Sequence, residues 1–151
     1  MKQGPLSDEI QNRMGPGVLT KDGFLGHDTR KLADIIFDDA IALASANLTN
    51  KDISDKMKYL TEKAKEGLGS TVEVDGAFLV SADEHKGSIP CPFGDNYRAG
   101  KANTTVTGIN GGLTLTWSDL NIHMIEKHGF YEGKGSCYRL EPSRLIEVLF
   151  T

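Results

Sequence analysis

The sequence predicts an α+β fold: an N-terminal helical hairpin packed on a small antiparallel sheet, with two further helices. Three observations predict it. Apolar residues recur at spacings of three and four through the first half. The period then changes to two after Gly69. Finally, Asn110-Gly111, set between two alternating runs, is the strongest short-range signal for a hairpin turn.

Residues 1–27 read as an irregular arm. Gly4, Pro5, Gly15, Pro16 and Gly17 interrupt any helix, and Val18, Leu19, Phe24 and Leu25 are its only anchors. The remainder, 28–151, reads as a single α+β domain. Its first helix begins near Asp28, a candidate N-cap, and carries Leu32, Ile35, Ile36, Ala40, Leu43 and Ala44 on one face. A second follows from Thr49, where Asp52 completes a capping-box pattern, with Ile53, Met57, Leu60 and Ala64 as its stripe and Gly67 and Gly69 as its stop. The short connection makes the two antiparallel neighbours.

Val72 and Val74, then Phe78 and Val80, alternate as strands around an Asp75-Gly76 turn. Residues 83–101 read as a long polar loop. Thr104–Thr107 and Leu113–Trp117 form the hairpin. Ser118 caps a helix that Gly129 ends, a glycine-rich connection follows from Phe130 to Leu140, and Pro142 opens a last short helix with Leu145, Val148 and Leu149 inward.

The chain has 151 residues, 38% of them hydrophobic and 25% charged, and a net charge of −4. Such a chain buries enough surface to fold without a metal or disulfide. The acidic balance argues against a nucleic-acid partner. No apolar run suggests a secretory leader or a membrane span, so the expected location is cytoplasmic, with no membrane partner. Residues 1–84 hold 10 Lys/Arg against 15 Asp/Glu, and residues 85–139 hold 6 against 4, so the second half better suits an anionic ligand.

Two loops hold the chemistry-bearing residues, 83–101 and 130–140, and both contain a cysteine. Three arrangements are candidates. The first is a zinc site: His123 and His128 have the H-x₄-H spacing of zinc-finger histidines, Cys91 and Cys137 supply thiolates, and His85 with Glu84 offers another pair. On a regular helix these two histidines point about 140° apart, so they meet only if the last turn loosens near Gly129.

The second is nucleophilic catalysis by Cys91, braced between Pro90 and Pro92, with His123 or His128 as base and Asp95 or Asp119 orienting the imidazole. The third is a small anion held by Gly133-Lys134-Gly135-Ser136 with Lys127 and Arg139. The carboxylates Asp38 and Asp39 are expected to face solvent.

Trp117-Ser118-Asp119-Leu120, the run Ile122–Phe130, Glu132–Ser136 and Tyr138–Pro142, together with Pro90–Gly94 and Gly23–Gly26, resemble a family of uncharacterised bacterial proteins of similar length with no assigned activity. The resemblance implies a bacterial cytoplasmic setting and transfers no catalytic residue. The helix also resembles the second half of a two-histidine zinc finger, without the paired cysteines. The expectation is thus a binding or interaction module, for an unidentified protein or a small anion, with its site where 83–101, 117–129 and 130–140 meet. The alternative is a zinc protein or a Cys/His hydrolase using Cys91, His123 and His128, supported by His85 or Cys137.

Overall fold

The computed structural model describes residues 4–150. In chain order the elements are α1 (Pro5–Arg13), α2 (Leu32–Ala44), α3 (Asn50–Glu66), β1 (Val72–Val74), β2 (Phe78–Pro90), β3 (Arg98–Gly108), β4 (Thr114–Ser118), α4 (Asp119–His128) and α5 (Pro142–Leu149). The four strands form one antiparallel sheet in the order β1-β2-β3-β4. This is the α+β class, with N-terminal helices on a meander.

Local chemistry places several boundaries where the sequence puts them. Thr49 and Asp52 form a reciprocal capping box at the start of α3, and Ser118 with Asn121 does the same for α4. Each box satisfies two orphan N–H groups of a first helical turn. Asp28 does not cap α2. That helix starts at Leu32, whose N–H is taken instead by the Gln11 side chain, while Asp28 accepts from the backbone and guanidinium of Arg30.

Two segments differ from their sequence reading. The N-terminal arm contains α1, because Pro5 sits at the first helical position, where its missing N–H costs nothing. Nor is it an appendage. Met14 and Phe24 are buried with Leu32, Ile35, Cys91, Leu120, Met124 and Phe130 in one of the two apolar clusters, whereas Val18 is exposed. The second difference is the 83–101 loop, most of which is strand. β2 runs to Pro90 and β3 starts at Arg98, leaving a short connection at 91–97. Residues 83–88 are exposed without alternation, so they carry no period-two signal.

The other apolar cluster lies between α3 and the sheet and is closed by α5: Ile53, Met57 and Leu60 meet Val80, Val106, Leu115 and Trp117. The indole N–H of Trp117 donates to Thr61 Oγ1 at 2.8 Å, so this large side chain is buried with its polar atom satisfied. α4 rests against α3 and β3 and joins the two clusters, Ile122 and Ile125 facing one while Leu120 and Met124 face the other.

No helix among the described residues is long and apolar enough to cross a membrane.

Candidate metal centre

The 91–97 connection is a compact turn. Cys91 N–H donates to Tyr97 O at 2.8 Å, closing its ends. Gly94 and Asn96 take positive φ (74° and 62°), and the Arg13 guanidinium donates to Pro92 O at 2.9 Å, tying the turn to α1. The turn lies against the C-terminal part of α4 through two ring stacks. Phe93 covers His128 with centroids 3.9 Å apart, and Tyr97 covers His123 at 3.7 Å. Both imidazoles are therefore fixed in orientation from the side.

Between them stands Asp95. Its Oδ2 lies 2.7 Å from His123 Nε2 and 2.8 Å from His128 Nε2, and its carboxylate is also hydrogen-bonded by the Cys91 thiol. One ligand atom from each of Cys91, Asp95, His123 and His128 falls within 4.8 Å of all the others. The last turn of α4 does not loosen to allow this. Gly129 N–H still bonds Ile125 O at 3.0 Å, and Gly129 takes the left-handed conformation only after His128. The two side chains converge because the turn presents a carboxylate within reach of both.

The electrostatics fit a cation at this point. Burial works to raise the Asp95 acid, but hydrogen bonds from His128, His123, Tyr97 N–H and Cys91 outweigh it and hold the carboxyl well below its ordinary range. Burial pushes the Cys91 thiol up to about 12, and the neighbouring carboxylate adds to the rise. A buried thiol of this kind is inert as a nucleophile and becomes a thiolate only beside a positive charge. The order of groups also departs from a catalytic triad. There the imidazole stands between thiol and carboxylate, whereas here Asp95 stands between Cys91 and both histidines. Cys91, His123 and Asp95 are thus brought together, but as a ring of donors and not as a relay.

The remaining sequence candidates are elsewhere. Cys137 is exposed and unpaired, apart from the cluster that contains Cys91. It lines a cleft of about 520 Å³ together with His85. Arg139 is not free for an anion. Its side chain is 7% exposed and bonds Asp39 at 2.6 and 2.9 Å, besides Glu141 and the Glu132 carbonyl.

Asp39 is correspondingly buried, while Asp38 is exposed and pairs with Arg30. The Gly133–Ser136 segment is docked onto residues 24–28. Gly133 N–H donates to Phe24 O, Lys134 N–H to Asp28, and His27 N–H to Lys134 O. Those amides are occupied, Lys127 lies on α4 with Glu126 at 3.9 Å, and Arg139 is committed to Asp39 and Glu141. Asp95 was visible in the sequence only as an orienting residue. The C-x₃-D spacing from Cys91 is the available sign that it joins this group of donor side chains.

Compared with protein-family models, curated proteins and solved structures, the chain matches none of them.

Proposed function

We propose that this protein is a zinc-binding domain whose ion is held by Cys91, Asp95, His123 and His128. The observation that carries the reading is the convergence of four donors of three chemical kinds, from two separate chain segments, on one point. Sulfur, imidazole nitrogen and carboxylate oxygen together suit zinc among the common biological cations, while calcium and magnesium take oxygen donors. Four protein ligands complete a tetrahedron and leave no open position, which is the form of a structural and not a catalytic zinc.

In a tetrahedron with bonds near 2 Å, neighbouring nitrogen and oxygen donors stand about 3.3 Å apart. The carboxylate oxygen and the imidazole nitrogens at 2.7 and 2.8 Å therefore need to part by about half an ångström, a shift within reach of an exposed turn. The ion replaces the protons shared between Asp95 and the imidazoles and converts the Cys91 thiol to a thiolate, so binding releases protons. Its role is to fasten the 91–97 turn, and with it α1 through Arg13, to the end of α4.

The test uses untagged protein. Elemental analysis should find one zinc per chain, and chelation should lower the thermal midpoint reversibly. In the cobalt-substituted protein, intense visible d–d bands of tetrahedral geometry should appear with a thiolate charge-transfer band. Cys91→Ser should abolish that band and His128→Ala should weaken metal retention. Apo protein that neither takes up zinc nor gains thermal stability from it would overturn the reading.

A further inference from the structure

A second place where 83–101, 117–129 and 130–140 meet is the cleft of about 520 Å³ beside Cys137, which shares no donor with the metal cluster. Its construction begins with a β-bulge. His85 pairs with Lys101, but the next paired residues are Ser88 and Gly100, so Lys86 and Gly87 are inserted into β2 with nothing opposite.

Gly87 takes φ +103°, and the Lys101 side chain lies across it, Cδ and Cε 3.6 Å from where a Cβ would stand. Bulges of this kind re-aim side chains next to binding sites. Here the bulge places Lys86 and Lys101 together at the rim. Neither makes an ion pair among the described residues, and Lys21 adds a third such cation from the N-terminal segment. The wall is apolar, formed by Phe24, Ile89 and Leu120, the first and last of them buried. Two acids line the cleft, Asp22 and Glu132. Glu132 is buried and bonded to Asn121 and Ser136, and burial holds its acid up to about 7, so it opposes an anion less than an ordinary glutamate.

We propose that this cleft binds a small organic anion with an apolar or aromatic body, its charge met by Lys86 and Lys101 and its body seated against Phe24, Ile89 and Leu120. An apolar concavity with a few placed polar groups is the general form of a small-molecule site. The free lysines at its rim set the sign of the ligand.

Titration with 1-naphthoate, followed by amide chemical shifts, tests it. The expected result is saturable change at residues 22–24, 85–89, 101 and 137–138, with binding weakened by salt. The neutral isostere 1-naphthylmethanol should bind at least about tenfold more weakly, and K86Q/K101Q should weaken the naphthoate by a similar factor. Both lysines are exposed, so the variant keeps the core.

In the unsubstituted protein, 1-naphthoate should also slow alkylation of Cys137 by iodoacetamide, read by peptide mass spectrometry, while the neutral isostere should not. Equal binding of the two compounds, an unaffected K86Q/K101Q, or no localised change at millimolar naphthoate would overturn the proposal. None of these readouts depends on zinc.

Discussion

Single residues carry the sharpest energetic contrasts in this molecule. Asp95 is only partly covered and is held ionised by its partners, whereas Glu132 is buried and held toward its neutral form. The Glu132 acid moves from an ordinary 4.5 to about 7, burial being the larger cause, against the hydrogen bonds from Ser136 and Asn121. The folded state therefore keeps this proton to higher pH than the unfolded chain does. Its contribution to stability is complete below about 4.5 and is lost as pH rises through about 7.

Glu132→Gln retains hydrogen-bonding groups and has no proton to lose. Urea unfolding should therefore show wild type losing stability relative to E132Q across that window, by about 3 kcal/mol at most. Parallel pH profiles for the two proteins would show that the carboxyl titrates normally.

Elements are held to one another by close backbone approaches as well as by apolar contact. Gly26 has φ +59°, and a Cβ there would fall on the backbone of Lys134, Gly135 and Ser136. Both requirements exclude any other residue without a shift. Gly26→Ala should lower the unfolding free energy by about 2–4 kcal/mol. It should also raise hydrogen exchange at the His27 N–H and Gly133 N–H, which bridge the two segments.

Elements are also the scale at which the sequence is most and least readable. α3 and α4 follow from the caps Thr49 and Ser118, because caps are local chemistry. The β3–β4 hairpin forms as expected, but its turn closes over Ile109-Asn110 through Gly111 N–H to Gly108 O at 2.9 Å, with positive φ at Gly111 and Gly112 and not at Asn110. The distal halves of β2 and β3 do not follow, since Asp83 to Ser88 are exposed and their strand character resides in the ladder with Gly100–Asn103. α1 was obscured for a related reason. Pro5 reads as a breaker unless its position within the helix is known. The donors Cys91, His123 and His128 were legible as residue types, but their meeting point depends on the seven-residue turn that replaces the expected long loop.

At the scale of the whole molecule, the buried Asp39–Arg139 pair joins α2 to the segment before α5. Burial disfavours the guanidinium charge, yet Asp39 and Glu141 outweigh it and Arg139 stays fully protonated. Asp39→Ala leaves that charge with Glu141 alone and should cost about 3 kcal/mol in chemical denaturation. Adding Arg139→Met should recover part of the loss, because an apolar side chain tolerates the site better than an unpaired cation. A double variant less stable than D39A would show that Arg139 is held chiefly by Glu141 and the Glu132 carbonyl.

The sheet has one more property that matters beyond a single copy. β1 covers only Phe78–Val80, so from Ser81 onward no strand among the described residues is hydrogen-bonded along the outer side of β2. A bare ladder edge invites another chain to add to it, and proteins discourage this with charge, bulges and proline. Asp83, Glu84 and Lys86, the bulge after His85, and Pro90 supply all three along this stretch. The charge-rich, irregular run that hides a strand from the eye thus carries the same devices by which proteins discourage strand addition at an open edge.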